Sequence, residues 1–125
     1  MAVLSEPNNL GDLLKFEEDN YFSRDQVTVG SGADLLIGTV VGKQTVNGKH
    51  YILAPAAVDG TETAVGVLVG NADAATADVT TALIVSRHCT VSDKALVWPV
   101  GITNNQKLTA TAQLKALGVL IRVGV

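Results

Sequence analysis

Two histidines and one cysteine, His50, His88 and Cys89, are the residues of this sequence best suited to catalysis or metal binding. A histidine can act as the base for a cysteine nucleophile when the two side chains lie within hydrogen-bond distance. His88 and Cys89 are neighbours in a predicted strand, where successive side chains point to opposite faces, so they cannot form such a pair. Neither histidine lies at a metal-ligand spacing from another His or Cys, and we predict a structural role for both.

The remaining polar motifs do not add an active site. The acidic residues after position 25 are scattered, and Asp59 and Asp73 are explained by turn formation. The stretch Gly30-Ser31-Gly32 lacks the Lys-Ser/Thr pair of a phosphate-binding loop. We therefore predict a protein that is not an enzyme and that has no catalytic, cofactor-binding or metal-binding residues.

The charge balance and the hydropathy pattern disfavour two classes of partner. Nine Lys and Arg against 12 Asp and Glu give a net charge of −3, whereas nucleic-acid binding needs a basic excess. The longest apolar runs have the length of a strand, far short of the ~20 residues of a membrane span, and no signal peptide is expected. We predict no nucleic-acid partner and no membrane partner.

The composition is rich in aliphatic residues and poor in aromatic ones. Hydrophobic residues make up 47% of the 125 residues, aromatic residues 4% and charged residues 17%. We expect so small and aliphatic a domain to cover part of its surface with copies of itself or with a partner.

Acidic and aromatic residues concentrate at the N-terminus. Residues 1–25 hold six acids and two bases (net −4), and residues 26–125 hold six acids and seven bases (net +1). We interpret residues 1–25 as an extended arm, too polar to form a core element, and residues 26–125 as a β-rich domain. The arm is either a disordered terminus or a segment that becomes ordered on a partner. In the second interpretation its aromatic side chains are the contacts. The apolar anchors of the arm are Leu10, Leu13, Leu14, Phe16, Tyr21 and Phe22.

Residues 26–125 have the pattern of a mainly β fold with one short helix. Strands are predicted at 27–29, 33–41 (with a break at Gly38), 51–53, 64–69, 79–91 and 119–125, and a loop at 71–77. Asn47-Gly48 between two extended segments predicts a hairpin. Ala110, Leu114 and Leu117 have helical spacing and predict a helix that ends before Gly118. Its N-terminal cap is Thr103, Asn104 or Asn105.

Three stretches of the sequence resemble the lambda-like bacteriophage head decoration proteins. They are YFSRDQVTV at 21–29 running into GTVVG at 38–42, DGTETAVGVL at 59–68, and ALVWP at 95–99. Together with the helix and the closing strand, the resemblance covers roughly residues 20–125. No single motif is specific, but their order and spacing along so short a chain are.

The resemblance implies a β-clip-like domain that assembles as a homotrimer and binds the major capsid protein. Such trimers lie on the outer surface of the expanded capsid at three-fold and local three-fold positions and stabilise it, after synthesis in the host cytoplasm. The N-terminal arm of these proteins becomes ordered on the capsid, partly by strand pairing. This arm is acidic and aromatic rather than Thr/Pro-rich. The capsid-binding candidates are Leu13, Leu14, Phe16, Tyr21, Phe22 and Arg24.

Other interpretations stay open at this point. Trp98, which precedes Pro99, either anchors the core or contacts a trimer or capsid surface. The chain could instead be a trimeric tail or receptor-binding domain. A small trimeric nucleotide hydrolase of β-clip topology is a further alternative, although we find no carboxylate and glycine-rich constellation for it.

Overall fold

The computed structural model describes residues 10–17 and 23–123 and shows a mainly β fold with one helix near the C-terminus, as predicted. The elements in chain order are α1 (Leu10–Leu13), β1 (Leu14–Glu17), β2 (Arg24–Val29), β3 (Ala33–Leu35), β4 (Val40–Lys43), β5 (His50–Ile52), β6 (Ala64–Leu68), β7 (Ala72–Ala74), β8 (Val79–Val85), β9 (Cys89–Ser92), a 3₁₀ turn (Asp93–Ala95), α2 (Asn104–Leu117) and β10 (Val119–Arg122).

Five strands close into a barrel in the order β2-β5-β4-β6-β8. Neighbouring strands are antiparallel except for β2 and β5, which pair in parallel where Val29 meets His50. Aliphatic side chains fill the interior because alternate residues of a strand point to the same side. Closure pairs the backbone of each strand on both sides, which removes free sheet edges.

A three-stranded sheet lies beside the barrel in the order β1-β9-β10. The central strand β9 pairs antiparallel with β1 and parallel with β10. A separate ribbon pairs β3 with β7. The sequence-based prediction of a loop at 71–77 is therefore wrong for β7, whose partner strand lies more than 30 residues earlier in the chain.

The core consists of two apolar clusters that share the barrel wall. Leu68 and Ile84 point into the barrel, whereas Val67 and Val85 of the same two strands point to the second cluster. That second cluster lies between the barrel, α2 and the three-stranded sheet, and Leu114 is fully buried in it. One wall of paired strands thus holds the barrel and the sheet together.

The predicted helix is confirmed, with its two ends. Thr103 caps its N-terminus: the Thr103 hydroxyl accepts from the Gln106 backbone N–H, and the Gln106 side chain accepts from the Thr103 N–H. Gly118 ends it with a φ of 92°, a conformation that favours glycine. The Gln113 side chain accepts from the Ala64 N–H at 2.8 Å, so α2 is tied to β6.

The long strand predicted at 79–91 is two strands. It breaks between β8 and β9 at His88, whose φ of 52° lies in the left-handed region. The chain passes there from the barrel to the three-stranded sheet. Strand alternation does not hold across such a bend, so the predicted opposite orientation of His88 and Cys89 loses its basis.

The hairpin at Asn47-Gly48 and the break at Gly38 are confirmed. β4 and β5 pair antiparallel across residues 44–49, and Gly48 has a φ of 71°. Gly38 has a φ of 94°, and a Cβ there would collide with the Ala95 carbonyl oxygen. Substitution of Gly38 therefore meets both a strained backbone and a fixed neighbour.

Candidate functional site

The described part of the N-terminal segment packs on the domain rather than lying apart from it. Leu13 is 0% exposed and belongs to the second core cluster, and Leu14 is half-buried against the same cluster. The expectation that residues 1–25 are too polar to form a core element is therefore wrong at Leu13. Residue 25, the predicted end of the arm, lies inside β2.

Strand β1 presents an aromatic side chain at the edge of the three-stranded sheet. Its Phe16 lies opposite Thr90 of β9, and the ring is 57% exposed. Among the described residues, β1 has a pairing partner on one side only. An open strand edge offers unpaired backbone groups to another chain, and an exposed aromatic beside it offers apolar contact area.

An ion pair joins the end of β1 to the start of β2. The Arg24 guanidinium donates from Nε to Glu17 Oε2 at 2.6 Å and from Nη2 to Glu17 Oε1 at 2.8 Å. The Ser23 hydroxyl donates to Glu17 Oε2 at 2.7 Å. We call this set of three residues the clamp. The hydrogen bonds from Arg24 chiefly lower the pKa of Glu17, which therefore stays ionised.

Two members of the clamp, Glu17 and Ser23, flank the five-residue stretch 18–22 in the sequence. That stretch contains Tyr21 and Phe22, the two remaining aromatic candidates, which lie outside the described residues. A bidentate Arg–carboxylate pair holds one relative orientation of its partners. Among the described residues, the predicted candidate Arg24 is held in this ion pair with Glu17.

The remaining two candidates, Trp98 and Pro99, lie more than 70 residues after this segment in the sequence. Trp98 and Pro99 are both half-buried, and the Trp98 ring packs against the second core cluster. The neighbouring Val97 forms a parallel bridge to Thr39. The structure therefore gives Trp98 a share in the core and leaves part of its surface accessible.

Cys89, the one cysteine of the sequence, is buried in the core. Burial, with a smaller effect of the Glu17 charge, raises the pKa of the Cys89 thiol to about 11, so Cys89 is a thiol rather than a reactive thiolate at neutral pH. Among residues 10–17 and 23–123, no group of three or more His, Cys, Asp and Glu is placed to hold a metal ion. No helix in the same part of the chain is long and apolar enough to cross a membrane.

Sequence reasoning missed the clamp and the contribution of Leu13 to the core. The clamp had a weak signal, since Glu17 and Arg24 are oppositely charged residues that flank two aromatics. Leu13 had no local signal, because its element α1 packs against β9 and the 3₁₀ turn, which lie more than 70 residues later.

A closed barrel beside a sheet whose strand β1 has an open edge and an exposed aromatic is suited to binding another protein. The comparison with protein families identifies which class of protein-binding domain this is. Residues 3–119 match the family model of the bacteriophage lambda head decoration protein D. The chain belongs to this family, as its sequence motifs indicated, and is a structural protein of the phage capsid rather than a member of an enzyme class. A comparison with curated proteins gives no match.

Proposed function

We propose that this protein forms a homotrimer, made in the host cytoplasm, that binds the outer surface of the expanded capsid at three-fold and local three-fold positions and stabilises the shell. The observation that carries the proposal is the family match over residues 3–119, which includes the open-edged strand β1. A capsid-decorating role without catalysis also agrees with the buried, protonated Cys89.

Exposed aliphatic side chains support self-association. Several large apolar residues of the domain are exposed and are available to a contact between copies. Interfaces of permanent homo-oligomers are more apolar than ordinary surface. Three copies would also present three N-terminal segments, and linked binding raises the effective affinity by ~10²–10⁴. The most exposed of these side chains are Val46, Val58, Val100 and Val123.

The capsid contact is proposed for residues 13–24, the segment that contains strand β1. Phe16 is the candidate contact among the described residues, and Tyr21 and Phe22 are proposed as further contacts. Leu14, half-buried, flanks Phe16, whereas Leu13 anchors the segment in the core and Arg24 holds its far end through Glu17. Strand addition at the free edge of β1 would provide backbone hydrogen bonds, with the aromatic side chains adding specificity.

The test is the binding of purified protein to expanded capsids that lack decoration. We expect Phe16→Ala to weaken binding by ~1–3 kcal/mol, as for an aromatic hot spot, measured as capsid occupancy after sedimentation. Leu36→Ala is the matched control, because Leu36 is 49% exposed, close to the 57% of Phe16, but lies between β3 and β4. Sedimentation velocity of the free protein reports whether it is a trimer.

Two outcomes would contradict the proposal. Unchanged occupancy for Phe16→Ala, Tyr21→Ala and Phe22→Ala would remove the segment as the capsid contact. Label on tails rather than heads in electron micrographs of virions would place the protein elsewhere in the particle.

A further inference from the structure

A groove of about 690 Å³ opens at one end of the barrel. Its sides are formed by the start of β2, the end of β8 and the residues that follow β8, and the C-terminal end of α2 contributes to its rim. None of residues 10–17 lines it. The groove is therefore a second surface, distinct from Phe16 and the open edge of β1.

Strand alternation explains why this end of the barrel is polar. The barrel interior is aliphatic. At the end of the barrel that opens into the groove, however, four strands have a polar residue as their terminal inward-facing position. In β2, β4 and β5 this residue belongs to the strand, and in β8 it directly follows the strand. The barrel thus ends in a set of converging polar groups, the usual composition of a ligand site at a barrel mouth. These side chains are Asp25, Lys43, His50 and Ser86.

The charges in the groove leave one positive charge in excess. Asp25 is already satisfied, because its Oδ2 accepts from Ser86 Oγ at 2.6 Å and from Arg87 Nη2 at 2.8 Å. Lys43 is exposed and, within the described part of the chain, forms no ion pair. Lys43 and Arg87 against Asp25 give a net charge of +1 with the histidines neutral, so the groove favours an anion.

His50 provides an independent indication of a ligand. The side chain lines the groove but is only 6% exposed, and its Nδ1 is buried without a hydrogen-bond partner among the described residues. Buried polar atoms almost always have a partner, and an unpaired one costs ~1–3 kcal/mol. Burial and the Lys43 charge lower the pKa of His50, so its ring is neutral near pH 7 and carries one N–H to donate.

We propose that this groove binds a carboxylate side chain of the capsid protein, with the Lys43 ammonium as its ion partner and the His50 ring as a hydrogen-bond donor. The identity of the partner rests on the proposed function. A carboxylate fits because it accepts from both an ammonium and an imidazole N–H, once the ring turns toward it. The groove is lined by about equal shares of polar and apolar residues, whereas permanent contacts between copies are more apolar. The capsid protein is for that reason a better occupant than a second copy.

Charge reversal at Lys43 tests the proposal. We expect Lys43→Glu to bind expanded capsids at least ~10-fold more weakly than the unchanged protein at low salt, because a like charge would face the bound carboxylate. Lys94→Glu is the matched control: Lys94 is equally an exposed lysine but lies in the 3₁₀ turn, outside the groove. Lys43→Gln removes the charge without adding a repulsion and carries the test if Lys43→Glu does not fold. His50→Phe, which keeps a ring but removes the donor, should also weaken binding.

The outcomes separate this inference from the proposed function. If the unchanged protein does not bind capsids, the proposed function fails and the groove loses its partner. If the unchanged protein binds and the Lys43 variants bind equally well, the groove inference alone is wrong. If the Lys43 variants lose self-association instead of capsid binding, the groove is a contact between copies and the inference is overturned.

Discussion

The barrel and the three-stranded sheet are built from the same kinds of side chain but differ in how their strands end. The barrel strands are paired on both sides, and its interior is closed by aliphatic residues. In the sheet only β9 is paired on both sides, and β1 and β10 each have one partner among the described residues. The barrel therefore provides rigidity, and the sheet has backbone groups left to offer to another chain.

The two regions nevertheless share one core, which decides how freely the N-terminal segment can move. Leu13 and Leu14 contact the cluster that Val67 and Val85 of the barrel wall also line. A segment anchored in this way differs from a tail tethered at one point. The proposed capsid contact is thus built on a segment whose first residues belong to the core. Substitution of Leu13 tests this anchor.

The largest expected effect on the free energy of unfolding comes from truncating a buried leucine, either in the sheet region or in the barrel. Leu13 in the sheet region and Leu68 in the barrel are both 0% exposed. We expect Leu13→Ala and Leu68→Ala each to lower the free energy of unfolding by ~2–5 kcal/mol, since each leaves a cavity in a packed core. Urea denaturation followed by circular dichroism measures both.

A clear difference in stability loss between these two variants would show that the sheet region and the barrel do not share one core. If Leu13→Ala costs less than ~1 kcal/mol while Leu68→Ala costs several, then the N-terminal segment detaches without unfolding the barrel. Residues 10–17 would then be a removable arm, and a deletion of them would leave the domain intact.

An intermediate effect is expected at the clamp. Arg24→Ala leaves the mostly buried Glu17 carboxylate without its partner and should lower the free energy of unfolding by ~1.5–3 kcal/mol. Arg87→Ala is the control in the barrel, where the ion pair to Asp25 is more exposed and should contribute ~0–1 kcal/mol. Equal costs for the two variants would show that the clamp is no stronger than a surface ion pair.

The clamp also has a pH signature. The pKa of Glu17 is lowered from 4.5 in the folded protein. Its contribution to stability is therefore present above pH 4.5 and is lost as the pH falls through the lowered pKa. The stability difference between Arg24→Ala and the unchanged protein should accordingly shrink in acid.

The smallest effect concerns His50 in the barrel. Its pKa is lowered from 6.5, mainly by burial and then by the Lys43 charge, while the Asp25 charge acts in the opposite direction. Arg87 and His88 line the same groove. The unfolded chain takes up a proton first as the pH falls, so stability is full above pH 6.5 and declines below it by at most ~1.4 kcal/mol per pH unit. Thermal unfolding across this range measures the decline, and His50→Gln should flatten it. An unchanged slope in His50→Gln would assign the decline to another group.

The features that the sequence predicted correctly depend on neighbouring residues. The helix, its Thr103 cap and its Gly118 end follow from side chains within one or two turns of each other. The hairpin at Gly48 and the break at Gly38 follow from the freedom of glycine at positive φ. The family motifs were also read directly from the chain, and the match over residues 3–119 confirms them.

The features that the sequence missed depend on distant partners. Strand β7 exists because β3 pairs with it, and its three residues carry no strong strand pattern of their own. The break at His88 arises where the chain leaves the barrel for the other sheet, which local alternation does not reveal. The same holds for the candidate site: Phe16 was chosen from its type, but its exposure follows from the pairing of β1 with β9.

The sequence by itself determined the mainly β class, the helix with its ends, and the family of capsid decoration proteins, because these rest on residue types, local spacing and motif order. Only the tertiary structure decided that Leu13 belongs to the core, that Glu17 and Arg24 form an ion pair, and that Lys43 and His50 share a groove. The physical reason is that burial and charge pairing depend on how separate elements pack. Strand β9 lies more than 70 residues after Leu13, and Glu17 and Arg24 belong to strands of two different sheets.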